Sequence, residues 1–190
     1  MKIIKVLLAS GSPRRQELLE KMGIPFEYKK IDVEEIYPPE LKEHQITNYL
    51  SELKSKAISQ IAQDDILITA DTIVWFNNEA LGKPKSRAEA KKMLLSMSDS
   101  THQVYSSVTV RTANHTYTIH DSTDVKIKPL REVDVDFYLN NFEFMDKAGA
   151  YGIQDWFGLT CVESLHGSYY NVMGFPTEKL YQLLVDLKLI

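Results

Sequence analysis

The sequence has 190 residues, 44% hydrophobic and 25% charged, the usage of a globular protein able to bury a core in one domain. Lys and Arg number 22 against 26 Asp and Glu, a net charge of −4, which speaks against a protein devoted to neutralising a nucleic-acid backbone. No apolar run approaches the ~20 residues of a membrane span, and the single cysteine, Cys161, excludes an internal disulfide or a multi-cysteine zinc site.

Residues 1–8 are too few and too charged for a signal-peptide core, so a cytoplasmic protein is expected. Residues 3–9 are apolar and partly β-branched, a strand leading into Ser10-Gly11-Ser12-Pro13. Ser12 fits a helix N-cap and Pro13 the first helical position. Leu18, Leu19 and Met22 supply the apolar stripe of that helix, and Gly23 ends it. A strand near 25–31 precedes the acidic, proline-bearing stretch 32–40. Residues 44–62 predict an amphipathic helix with Ile46, Tyr49, Leu50, Leu53, Ala57, Ile58 and Ile61 on one side. Residues 66–76 form a strand, Asn77-Asn78 a turn and residues 79–81 the return strand. A helix over 86–98 opens with Ser86 and Glu89 in a capping box. Strands follow at 104–112 and 117–127, hinged at Ala113-Asn114, then a helix at 132–141 and a glycine-bearing loop at 146–155. A strand at 159–164 and a closing helix at 176–189 complete an α/β chain with a mixed sheet, expected as one domain over residues 1–190.

A few residues break local rules, and these point to chemistry. Residues 1–30 carry seven Lys/Arg (Lys2, Lys5, Arg14, Arg15, Lys21, Lys29, Lys30) against three Glu, a local +4, so the remainder sums to −8. Arg14 and Arg15 stand in the first turn of a helix, where the macrodipole disfavours cations. Beside free N–H groups and a Gly-Ser turn they suit an anion, although the loop lacks the Gly-Lys-Ser/Thr ending of a Walker A. Asp71 interrupts an apolar strand, and a buried carboxylate there must be paired, metal-bound or at a cleft. Lys83 would come near Asp71 only if the hairpin strands pair closely. Lys54 reads as solvated, and Lys56 is left undecided. Glu34 and Glu35 lie in an acidic run of the oxygen-ligand type that hard cations accept. Gln154, in the glycine-bearing loop, could read a base edge. No His pair shares an element face, and no H-E-x-x-H or G-x-S-x-G occurs. Cys161 reads as a packed thiol. These residues alone give a carboxylate-plus-cation site for a phosphorylated small molecule.

The chain also resembles the Maf family of nucleoside triphosphate pyrophosphatases, nearly end to end. The residues that carry the likeness are Leu8-Ala9-Ser10-Gly11-Ser12-Pro13-Arg14-Arg15, Glu34-Glu35, Lys56-Ala57 and Ala70-Asp71-Thr72-Ile73-Val74. Further along come Gly82-Lys83-Pro84, Thr101-His102-Gln103-Val104, residues 146–154, and Gly167-Ser168-Tyr169-Tyr170 with Val172-Met173-Gly174-Phe175-Pro176. The resemblance implies an elongated mixed sheet flanked by helices, in two lobes with a cleft, and a homodimer. It implies hydrolysis of a nucleoside triphosphate to monophosphate and pyrophosphate with Mg²⁺ or Mn²⁺; the acidic charge and the short apolar runs add the expectation of neither a stable nucleic-acid partner nor a membrane. Glu35 and Asp71 would hold the metal, and Asp71 would accept the proton of the attacking water. Arg14, Arg15, Lys56 and Lys83 would stabilise the phosphates, helped by the Ser10–Ser12 backbone. Arg14, Thr72 and Gln154 match the dTTP/UTP subgroup, where the 7-methyl-GTP subgroup tends to carry tryptophan, glutamine and glutamate. Asp155-Trp156 and Tyr105-Ser106-Ser107-Val108 depart from the common pattern. The alternatives are a 7-methyl-GTP-type pyrophosphatase and a nucleotide-binding division regulator with little catalysis. The cellular setting would be nucleotide-pool sanitation or septum formation.

Overall fold

The computed structural model describes residues 5–190; the first four, including Lys2 and the expected strand start at Ile3, lie outside them. The chain runs β1 (Lys5–Leu8), α1 (Pro13–Lys21), β2 (Phe26–Tyr28), α2 (His44–Ala57), β3 (Asp65–Phe76), β4 (Glu79–Leu81), α3 (Arg87–Ser96) and β5 (Thr101–Arg111). It continues with β6 (Thr116–Ile127), α4 (Glu132–Asn141), a 3₁₀ turn (Ala148–Ala150), α5 (Trp156–Cys161), β7 (Val162–His166), α6 (Tyr169–Val172) and α7 (Thr177–Asp186). The strands form a seven-stranded mixed sheet in the order β2-β1-β3-β5-β6-β7, with β4 paired to β3. β1 lies parallel to both β2 and β3, with Val6 opposite Phe26 on one side and Ile66 on the other. The β3–β4 hairpin turns through Asn77 and Asn78, both at positive φ, a conformation asparagine tolerates and tight hairpins require.

The described residues cluster into two compact units, 5–71 with 106–121 and 174–190, and 72–105 with 122–173. In the first, Leu7, Ala9 and Leu67 pack with Ile31, Ile58 and Ile61, and Leu18, Leu19, Leu180 and Leu184 are buried from α1 and α7. In the second, Ala90 and Leu94 of α3 are buried, as are Val135 and Tyr138 of α4. The Phe157 ring lies tilted, its centroid 5.3 Å from that of Tyr138 and 5.1 Å from that of Tyr151.

The structure changes several expected boundaries, each for a physical reason. The helix expected over 44–62 ends at Ala57, because Ile58 is extended and its carbonyl accepts from Arg111. Its buried face is also rotated. Ile46, Thr47, Leu50, Ser51, Lys54 and Ser55 are buried, while Tyr49 is exposed. Hydroxyls on that face meet hydroxyls of β5, Thr47 with Ser107 at 2.6 Å and Ser51 with Thr109 at 2.9 Å. The strand expected at 159–164 is the end of α5 followed by β7. Phe157 and Cys161, four apart, share the buried side of that short helix, and burial raises the Cys161 thiol pKa. Ser86 caps α3 by accepting from the Glu89 backbone N–H, but the Glu89 carboxylate accepts from Lys85 N–H instead of returning to Ser86.

Candidate active site

The site in the first unit starts at the end of β1. Ser10 is buried, and its Oγ accepts from the Ser12 N–H at 3.3 Å, closing the turn into α1. Ser12 holds the N-cap position but makes no side-chain cap, and Pro13 follows as the first helical residue. Arg15 points back into the fold. Its Nε donates to the Gly174 carbonyl at 2.9 Å, and Nη1 donates to Ser10 Oγ at 3.1 Å and the Ala70 carbonyl at 2.8 Å. One guanidinium therefore ties the turn after β1, the middle of β3 and the loop between α6 and α7. Burial pulls its pKa down, and Asp71 opposes that pull.

Asp71, one residue beyond that Ala70 anchor, is 5% exposed. Its Oδ1 accepts from Lys54 Nζ at 2.6 Å, and the same ammonium lies 2.9 Å from Glu35 Oε1. Desolvation pushes the Asp71 carboxyl above its ordinary value, opposed by Lys54 and Arg15 and reinforced by Glu35. A carboxylate with a raised pKa is a better proton acceptor than an exposed one.

The lysine at this site is Lys54, 8% exposed, a correction to its expected solvation. Lys56, expected as a phosphate ligand, has a side chain 74% exposed and pairs with Glu52 at 3.7 Å. Helical periodicity carries the signal that separates them. Lys54 lies four residues after Leu50 and seven after Thr47, on the buried stripe, and Lys56 is ~200° further round. An ionisable residue on a helix's inward face needs a partner, and Asp71 is that partner.

Thr72, Lys83 and Gln154 belong to the second unit. Thr72 and Gln154 are half-buried, and Lys83 is exposed. The antiparallel register of Val74 opposite Leu81 carries Lys83 toward the Thr72 end of β3. Gly82 accepts from the Gly149 N–H at 3.1 Å, which seats the 146–155 loop beside Lys83. Gly149, at φ 69, has no room for a side chain, since a Cβ would stand 2.8 Å from Val74 Cγ2. Within this loop the Tyr151 hydroxyl meets His102 Nε2 at 2.7 Å.

Burial lowers the His102 pKa to about 4. The unfolded chain binds that proton near pH 6.5, so stability is lost as pH falls from 6.5 toward 4. The expected share is roughly 2–3 kcal/mol at pH 4.5. Urea unfolding at pH 7 and pH 4.5 checks it: His102→Gln should lose less stability on acidification than the wild type, and equal losses would refute the assignment.

Two carboxylates flanking one cationic group, Glu35 and Asp71, are a donor set that fits a hard divalent ion. Mg²⁺ commonly takes one or two carboxylates and completes its shell with water and substrate phosphates. Among the described residues no group of three or more His, Cys, Asp or Glu could enclose a metal.

Residues 5–187 match the family described as Maf-like protein. The chain belongs to the Maf family. A protein named dTTP/UTP pyrophosphatase from Flavobacterium johnsoniae is 49% identical over 98% of this chain and 97% of its own length. Another of the same name from Flavobacterium psychrophilum is 46% identical over 96% and 94%, and one from Bacteroides fragilis 44% identical over 96% of each. The structure of a HAM1 protein from Coxiella burnetii superposes with a TM-score of 0.53 over 97% of this chain and 100% of that one. At 14% identity that likeness shows the fold alone. Among the described residues of this Maf-family chain, no helix is long and apolar enough to cross a membrane.

Proposed function

We propose that this chain hydrolyses dTTP and UTP to the nucleoside monophosphate and pyrophosphate. The observation that carries the proposal is the buried Asp71 held by Lys54, directly beyond the β3 carbonyl that Arg15 grips. The relatives named dTTP/UTP pyrophosphatase supply the substrate class. With Oδ1 occupied by Lys54, Asp71 Oδ2 takes a proton from the water that attacks the α-phosphorus, and pyrophosphate leaves. Lys54 compensates the negative charge that Asp71 and Glu35 concentrate. Arg14 and the N–H groups of the Ser10–Ser12 turn other than that of Ser12 meet the phosphates, while Arg15 holds that turn in shape. Lys83 adds charge, and the Gln154 amide, able both to donate and to accept, suits a uracil or thymine edge, with Thr72 and Arg14 completing the selection. Glu35 and Asp71 would hold a Mg²⁺ or Mn²⁺, which offsets charge on the phosphate oxygens when bound. The whole chain acts as one domain, in the cytoplasm, as a homodimer; the family resemblance supports these three points.

A panel of canonical and modified triphosphates with pyrophosphate detection tests the proposal. UTP and dTTP should exceed purine triphosphates in kcat/KM by ~10-fold or more, and EDTA should abolish turnover. Release of orthophosphate, or no turnover of any triphosphate, refutes it.

A further inference from the structure

The inward face of α2 is joined to the sheet by hydroxyl rungs. Thr47 and Ser51, four apart on the helix, meet Ser107 and Thr109, two apart on β5. A further rung runs to β3, where Thr69 Oγ1 donates to the Ser51 carbonyl at 2.7 Å. Thr69 and Asp71 are two apart, hence on one face of the strand. Ser51 and Lys54 are three apart, hence on one face of the helix. The Thr69–Ser51 bond and the Lys54–Asp71 bond are therefore adjacent rungs between the same two elements.

We infer that Thr69 is a positioning residue, whose hydroxyl holds the α2 backbone where the Lys54 ammonium falls between Asp71 and Glu35. Lysine has a flexible four-carbon stem and a strongly hydrated head, so it stays at a buried site only while its backbone is fixed there. Apolar packing is non-directional and lets a helix slide, whereas a hydroxyl-to-carbonyl bond fixes distance and rotation. Thr69 is fully buried, and its donor is spent on Ser51 alone among the hydrogen bonds it gives. The role of the Lys54–Asp71 pair in turnover rests on the proposed function; the placement of Lys54 by Thr69 does not.

Thr69→Val keeps the shape and removes the donor, and Thr69→Ser keeps the donor. Amine labelling of the full-length protein followed by mass spectrometry reads Lys54 against Lys56, and against Lys147, a buried lysine of the other unit. In the wild type Lys54 should label slowly. Thr69→Val should raise its rate by about fivefold or more while Lys56 and Lys147 are unchanged, and Thr69→Ser should restore protection. An unchanged Lys54 rate, or an equal rise at Lys147, overturns the inference.

Kinetics supply an independent arm. Thr69→Val should lower kcat for UTP about tenfold with KM nearly constant, and should cost nothing further in a Lys54→Gln background. Losses that add in full overturn a route through Lys54. If the wild type hydrolyses no triphosphate, the functional proposal fails, and the labelling result still decides the placement of Lys54.

Discussion

Asp71→Asn should lower pyrophosphate release from UTP by at least ~10³-fold, since the proposed function makes this residue the general base, worth roughly 10²–10⁴, and a ligand of the cation. The same substitution should leave the fold standing. Burial is the leading influence on the Asp71 carboxyl and raises its pKa despite Lys54. The folded state thus binds that proton more tightly than the unfolded chain does. Its contribution is fully present at low pH and is lost as pH rises from the unfolded value of 3.8 toward the raised folded one. Ionising Asp71 in that buried place costs stability, and a neutral amide of the same shape relieves that cost. Lys54 retains Glu35 at 2.9 Å. The expected result is a melting temperature at pH 7 equal to or above that of the wild type, with activity gone. Retention of more than a tenth of wild-type turnover would remove Asp71 from the role of base, and a collapsed melting temperature would make it a structural residue instead.

Much of this arrangement was legible because it broke local rules. A carboxylate inside an apolar strand and two arginines at a helix start contradict propensity, and the structure buries Asp71 and anchors Arg15 on Ser10, Ala70 and Gly174. Helix and strand order followed from period and capping, and the 132–141 helix agrees residue for residue with α4. Lys54 was hidden by the pattern itself. Aliphatic residues outline one face of α2, but burial follows Thr47 and Ser51, because their surroundings in the sheet include Ser107 and Thr109. A polar ladder satisfied only in three dimensions looks like a solvent face in one. The α5 helix was hidden for a related reason. The stretch around Leu159 to Val162 is apolar and β-compatible in isolation, and the tertiary placement of Phe157 and Cys161 decides it.

The two arginines should separate stability from binding. Arg15→Ala deletes three hydrogen bonds from a charged donor, to the Gly174 and Ala70 carbonyls and to Ser10 Oγ. Bonds to charged groups are worth about 1.5–3 kcal/mol each, and they are not additive when they share one group. A loss of roughly 3 kcal/mol is expected, which for a chain of this size lowers the melting temperature by about 6–12 °C. The anchored elements are the turn after β1 and the strand that carries Asp71, so activity should fall with stability, and Arg15→Lys should rescue little because an ammonium lacks the fork that reaches three acceptors. The proposed function gives Arg14 the phosphates of the substrate. Arg14→Ala should raise KM for UTP at least ~10-fold, the mark of a lost substrate contact. Thermal unfolding and initial rates on the two variants make the comparison directly. If Arg14→Ala melts as low as Arg15→Ala, Arg14 is part of the scaffold; if Arg15→Ala melts like the wild type, the three contacts of its guanidinium do not hold the fold.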